Sequence, residues 1–367
     1  MDRLRAKYNS MSVETKAALW FAMCNFINKG IAMIVVPLYT RILTTEEYGT
    51  YTVFQSWLNI FIIIATLEIS RGHYKVGITK YDEDVDNYTT SVLGLSNIVT
   101  VLFIVIYLCA IPVFNNLLEM PTYLVLSMFG YLLVYPAWEF WTIQQRFAYK
   151  YKTMVAATLA VAILSPVIGV AGIYLLNMQS DAAIFSKLLI QGVFALCIYV
   201  AFFRKSHTLF NKAYWKEAFI FNITLVPYLL STSILNQADR IMINSMVGAA
   251  EAAIYSVAYS VAMLMQLLNN AVSDAFIPWM YRRLKAKEYK VIEPVTNKLL
   301  ILVAGTNILL ILFAPEVMLF LRQQDTQMRY GLFHRSLLAC FLCFCFKDIS
   351  MSKFTMVQRQ ASAAHQF

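Results

Sequence analysis

Residues 18–39 read ALWFAMCNFINKGIAMIVVPLY. This run of 22 residues holds a single charged residue, Lys29. As a helix it rises ~33 Å at ~1.5 Å per residue, enough to cross a hydrocarbon core of about 30 Å. It is too long for the apolar core of a cleaved leader and has no small-residue cleavage pattern behind it, so it reads as a retained first span. Apolar blocks of similar length recur near 50–70, 89–111, 122–143, 153–176, 184–203, 221–246, 251–280 and 299–321. The seventh and eighth exceed one bilayer thickness and must tilt, kink or extend into water. Pro227 and Pro278 are the candidate kink points, because proline removes a helical hydrogen bond.

Composition agrees. Of the 367 residues, 59% are hydrophobic and 14% charged, against roughly 45–50% and about 25% in soluble domains. The six cysteines fall in apolar blocks (Cys24, Cys109, Cys197) or crowd near the end (Cys340, Cys343, Cys345). None shares metal-ligand spacing with histidine, so they read as packing residues.

Charge fixes an orientation. The N-terminus and the second, fourth, sixth and eighth loops carry nineteen Lys and Arg, from Arg3 to Lys290, whereas the alternate loops carry only Arg41 and Arg240. Cations in short loops stay on the cytoplasmic side, which predicts a cytoplasmic N-terminus. Trp20, Trp138, Trp141, Trp215 and Trp279 all fall near predicted inner ends, where amphipathic rings prefer to sit. The net charge of +9 is thus mostly this inside bias. Its spread over five short loops argues against a nucleic-acid partner.

The fold class predicted is an all-α polytopic membrane protein, a two-lobed helical bundle related by a parallel repeat. Glu47-x-x-x-Tyr51-Thr52-Val53 opens the second block, and Glu251-x-x-x-Tyr255-Ser256-Val257 opens the eighth, 204 residues later. The second copy lies six blocks on from the first, an even step, so both copies run the same way, as in transporters whose halves rock about an axis along the membrane normal. Residues 1–203 form an N-terminal lobe of six spans, 204–217 a cytoplasmic linker, and 218–321 a C-terminal lobe of three recognisable spans. The tail, 322–367, diverges and has room for one short membrane segment.

Ionisable groups at membrane depth are costly and usually face a cavity or a partner. The first span carries Asn25, Asn28 and Lys29 at i, i+3, i+4, which puts them on one helical face. The seventh carries Asn236, Asp239 and Arg240 at the same spacing. If both faces meet in the gap between lobes, they line a wet cavity with two cations, one acid and three amides. Ammonium and guanidinium groups there suit an anionic head group, since both bind phosphate through charge-assisted hydrogen bonds. Snorkelling to an interface is the bland alternative, weaker for Lys29 at mid-span than for Arg240 near an outer end. Asp239, Glu139 and Asp274 are candidates for ion coupling or positioning. Glu68 and Arg71 are placed to pair with each other, Asn270 and Asp274 share one face of the eighth span, and Lys187 is expected to snorkel. The acidic run Asp82-Glu83-Asp84-Asp86 reads as a solvated loop.

No cofactor or metal site is indicated: His73, His207, His334 and His365 are far apart, and no phosphate loop, nucleophile elbow or zinc-hydrolase pattern occurs. A membrane-embedded enzyme or polymerase would need a sizeable loop with clustered acids or histidines. A cation-coupled multidrug extruder would favour an acid-lined cavity with few cations.

The stretch Pro37-Leu38-Tyr39-Thr40-Arg41-Ile42-Leu43-Thr44-Thr45-Glu46-Glu47-Tyr48-Gly49-Thr50-Tyr51 resembles the opening signature of O-antigen and related polysaccharide flippases. These belong to the superfamily that includes multidrug extruders and the lipid II flippase. Gln144-Gln145-Arg146-Phe147, Leu225-Val226-Pro227, Ala238-Asp239-Arg240-Ile241-Met242-Ile243, Ala253-Ile254-Tyr255-Ser256-Val257-Ala258-Tyr259 and Ala314-Pro315-Glu316 extend the likeness in order over residues 10 to 321. The resemblance implies two six-helix lobes around a central cavity and alternating access. It implies an undecaprenyl-diphosphate-linked oligosaccharide turned from the cytoplasmic to the periplasmic leaflet of the bacterial inner membrane. Polysaccharide polymerase and chain-length machinery would be partners, besides membrane lipids. Asp239-Arg240 matches the family's seventh-span acid–arginine pair, and Lys29 falls where relatives often place a first-span cation. The chain departs from the pattern after Leu321, where Arg322-Gln323-Gln324-Asp325 and a Cys/Phe patch replace the expected tenth span. That departure predicts an incomplete second lobe, from truncation or a frame shift.

Overall fold

The computed structural model describes residues 12–206 and 208–260, with short helical pieces between 263 and 312. The described residues are helical almost throughout, with no strand among them. The chain divides into two compact units, Met1–Ala253 and Ile254–Phe367, and the first is described here. Asp274, Asn270, Pro278 and the tail 322–367 lie outside the described residues.

Local chemistry sets the helix boundaries. Ser12 caps α1 (Val13–Ile42), its hydroxyl accepting the Thr15 N–H at 3.3 Å. Thr44 opens α2 (Thr45–Thr66) with a reciprocal capping box. Its hydroxyl accepts the Glu47 N–H at 3.3 Å, and the Glu47 carboxylate accepts the Thr44 N–H at 2.9 Å; such a cap contributes typically ~1 kcal/mol. Leu67 and Glu68, at φ 53° and 38°, then turn the chain through the left-handed region, at a cost of roughly 1–2 kcal/mol per residue. The turn leads to the short α3 (His73–Lys80) and the 3-10 turn Asp82–Asp84. There follow α4 (Val85–Cys109), α5 (Ile111–Leu118), α6 (Thr122–Phe147), α7 (Tyr151–Leu176), α8 (Gln179–Lys205) and α9 (Lys212–Met246). Asn211 caps α9 by accepting the Ala213 N–H at 3.0 Å. A further helical stretch, 249–260, begins after Gly248.

Six of these helices, α1, α4, α6, α7, α8 and α9, are long and apolar enough to cross a membrane. Their length and composition fit a chain that crosses the membrane several times. The helix at the second expected span, α2, is long enough but not among those six. Thr50, Thr52, Gln55, Ser56 and Asn59 dilute its apolar character, and it is instead the helix most enclosed by its neighbours, packed against α9, α8, α4 and α6. Its side chains meet protein, so lipid does not dictate their polarity. At 35 residues, α9 rises ~52 Å, so its first turns extend beyond the apolar run at 221–246.

Two buried clusters hold the unit together. One joins α2, α4, α6 and α8 through Phe54, Leu58, Phe61, Tyr107, Phe129 and Ile184. The other lies at the opposite end, where Tyr74, Tyr88, Phe140, Phe202 and Tyr214 join α3, α4, α6, α8 and α9. By contrast α1 and α7 pack on each other and leave Phe26, Ile34, Val167 and Tyr174 outward. Apolar side chains face outward where a bilayer is the solvent.

Candidate functional site

The polar triplets lie on α1 and α9, two helices that both pack on α2. On α1, which rests chiefly on α7, the Cys24 side is buried; Asn28 beside it is half-buried, and Asn25 and Lys29 are exposed. On α9, which lies along α2, Asn236 is half-buried and donates to the Thr232 carbonyl at 2.9 Å. Arg240 is half-buried too, donating to Gln237 Oε1 at 3.1 Å and acting electrostatically on the buried Tyr48 hydroxyl of α2. Asp239, its neighbour, is exposed. Both helices thus meet α2, α1 lightly and α9 broadly.

An acidic pair occupies the N-terminal unit. Glu68, 3% exposed, pairs with Arg71, and its Oε2 is buried without a hydrogen bond. Glu139 of α6 is hydrogen-bonded to Tyr135 and feels Arg71, Arg146 and Lys75; it also acts on Glu68. The expected Glu68–Arg71 pairing is present, and Glu139 joins the same cluster. No group of three or more His, Cys, Asp and Glu among the described residues is placed to hold a metal ion.

Two features escaped the sequence reading. The first corrects the placing of Lys187. It does not snorkel from the end of α8 but is enclosed against Gln55 of α2, to whose carbonyl oxygen it donates. It is the ninth residue of its helix, ~12 Å from the helix start, and that depth alone argues against reaching an interface.

The second is a polar clamp where the linker meets α3. Lys80 reaches both Glu217 oxygens at 2.8 Å, and Tyr81 donates to Glu217 at 2.9 Å. Tyr214 donates to Asp84 at 2.8 Å, and the Trp215 indole to the Ser91 carbonyl at 2.8 Å. One acid of the supposed solvated loop is therefore a structural acceptor. The His73 N–H donates to Asn222 at 3.4 Å, while His73 Nδ1 meets the Tyr88 hydroxyl at 2.8 Å. Burial lowers the His73 pKa below its usual 6.5, with Glu217 opposing and Lys80 assisting. The hydrogen bond to Glu217 holds Lys80 above its usual value. Spacing could not have paired residues so far apart in the chain.

Comparison with known proteins places this arrangement. Residues 15–284 match a family model described as "Polysaccharide biosynthesis protein". No curated protein sequence aligns significantly with the chain. Among solved structures, it is similar to an inward-facing multidrug resistance MATE family transporter of the MOP superfamily, with a TM-score of 0.57 at 14% identity over 93% of this chain and 86% of that one. An outward-facing structure from the same family gives 0.55 at 15% identity over 96% and 86%. A MATE crystallised with MaL6 gives 0.59 at 15% identity over 96% and 84%. At such identities the likeness is one of fold, a two-lobed helical architecture.

Proposed function

The chain belongs to the polysaccharide biosynthesis protein family, and on that premise we propose that it is a flippase for undecaprenyl-diphosphate-linked oligosaccharide, of the O-antigen or capsule type. The observation that carries this reading is the recurrence of one polar triplet, Asn-x-x-Asn-Lys on α1 and Asn-x-x-Asp-Arg on α9, on two helices that both pack on α2. In the proposed mechanism the diphosphate-sugar head enters a cationic space between the lobes, 1–203 and 218–321, while the polyprenyl tail stays in lipid. Lys29 and Arg240 offset the phosphate charge; hydrogen bonds to charged groups contribute about 1.5–3 kcal/mol each. Asn25, Asn28 and Asn236 bond head-group oxygens, and Asp239 positions Arg240. Rocking of the lobes then opens the space to the other leaflet. The cations of the linker 204–217 and of the other basic loops support a cytoplasmic N-terminus, and the proposed cargo goes with the bacterial inner membrane. The protein acts as a transporter rather than an enzyme, delivering its cargo to polymerase and chain-length machinery.

A cation-coupled multidrug extruder is the second reading. The Glu68–Glu139 cluster favours it, since paired carboxylates at membrane depth bind protons or metal cations. In the flippase reading Glu139, with Asp239 and Asp274, serves ion coupling or positioning.

Lys29→Glu and Arg240→Glu should each abolish surface polysaccharide while the protein stays at normal abundance in the membrane. Unchanged polysaccharide in both variants would remove the head-group assignment. Drug resistance that depends on Glu139, with intact polysaccharide, would favour the extruder.

A further inference from the structure

We infer that Lys187 and Gln55 form an anion-binding subsite inside the N-terminal unit, taking phosphoryl or carboxylate oxygens. The argument is a count of donors. The Lys187 ammonium has three N–H groups and no acceptor function. It gives one to Gln55 Oε1 and has no ion-pair partner among the described residues. Because lysine can only donate, the amide must turn its oxygen toward it, which sends the Gln55 NH2 the other way. That nitrogen is buried and meets no acceptor among the described residues. Four of these five N–H groups are therefore uncommitted, among the described residues, at membrane depth.

Both partners agree on that depth. Lys187 lies ~12 Å along α8 and Gln55 ~15 Å along α2 from their starts, near the middle of a ~30 Å hydrocarbon layer. A cation enclosed there without a counter-ion is costly, and unmet donors add to the cost. An oxyanion resolves both at once, through charge-assisted hydrogen bonds from the ammonium and neutral ones from the amide.

The subsite also has a defined neighbourhood. Gln55 is seven residues after Tyr48 on one face of α2, ~10.5 Å along the helix, and Tyr48 is the residue on which Arg240 acts. Tyr51 stands between them, its ring against Tyr48 at 6.1 Å and Tyr39 at 5.4 Å. Two cations thus flank a tyrosine-lined face of α2 two turns apart. This deepens, and rests on, the flippase reading: the subsite takes either the diphosphate or an acidic sugar of the carried oligosaccharide.

The test uses the full chain in lipid nanodiscs, with thermal unfolding and equilibrium binding measured for wild type, Lys187→Met, Gln55→Leu and Lys187→Arg. The probes are sugar-free undecaprenyl diphosphate and a glucuronate-containing disaccharide, which separate the two anion sources. Lys187→Met and Gln55→Leu should weaken binding of one probe at least tenfold, and Lys187→Arg should stay within threefold of wild type. Without probe, Lys187→Met should melt no lower than wild type, because replacing an uncompensated buried cation by an apolar chain of similar size is neutral or stabilising. A Lys187→Met protein that binds both probes like wild type, or that melts lower without them, overturns the subsite; so does a wild type that binds neither. Surface polysaccharide is scored separately. Lys187-dependent binding in a protein whose deletion leaves polysaccharide intact would keep the subsite and remove the flippase reading.

Discussion

Gly49 sits in the first turn of α2, against the backbone that follows α9. A Cβ built on it falls 1.8 Å from the Ala249 carbonyl oxygen, 2.5 Å from its carbon and 3.0 Å from Ala249 Cα. Carbon–oxygen contacts settle near ~3.3 Å, so Gly49→Ala requires the two segments to part by ~1.5 Å. Neither can rotate away, because every obstructing atom is backbone. Overpacking of this kind costs about 1–3 kcal/mol, which lowers the population of the closed contact roughly 5- to 150-fold. The neighbouring hydrogen bond from Asn244 to Glu119 reports on the same closure. With the six native cysteines replaced by alanine, Glu119→Cys and Asn244→Cys should be joined rapidly by a short bismaleimide. Adding Gly49→Ala should slow that reaction at least fivefold and reduce transport. Gly130→Ala is the control, since nothing lies within 4 Å of its Cβ, and it should leave both unchanged. Equal cross-linking rates with and without Gly49→Ala would refute the close approach.

Two predictions concern the clamp between α3 and α9. A Cβ on Gly77 would fall 2.1 Å from the Tyr88 hydroxyl and ring carbon, and Tyr88 is fully buried among Tyr74, Tyr81 and Tyr214. Gly77→Ala should therefore cost about 2–4 kcal/mol, overpacking plus the lost His73–Tyr88 bond, seen as a lower melting temperature in detergent; an unchanged melt contradicts the packing. His73 prefers to be neutral when folded, its pKa lying below the unfolded 6.5. Its contribution is complete above pH 6.5 and is lost as pH falls from there through the folded value. His73→Gln should flatten the pH dependence of stability between pH 7 and 5, and a slope equal to wild type would sink that assignment.

Periodicity and length carried the fold because each span had to satisfy the same hydrocarbon thickness. The helices of 18–39, 89–111 and 153–176 emerged as α1, α4 and α7 with modest extension at their ends. Hydropathy is weak at α2, where Thr52 and Ser56 are buried and Gln55 half-buried among neighbours rather than lipid. The site was legible in part. A spacing of i, i+3, i+4 marks one helical face, so the candidate triplets of α1 and α9 show in the sequence, while their binding of a head group is the proposal. What lies opposite a face depends on packing between helices 130 residues apart, and no spacing encodes that. Lys187 stands alone in its own helix, and nothing in the sequence marks Gln55 as its partner. The clamp at Glu217 is hidden for the same reason: Lys80 and Tyr81 are remote from it in sequence.

The central claim is that the α1 and α9 cations share one water-filled space. Spin labels on Lys29→Cys and Arg240→Cys, in a cysteine-free background in nanodiscs, test it directly. Relaxation by a water-soluble nickel chelate is compared with relaxation by oxygen, which concentrates in lipid. The account predicts that the chelate dominates at both positions and that added lipid-linked oligosaccharide shields both together. Oxygen-dominated relaxation at either position would place that cation against the bilayer and contradict the account.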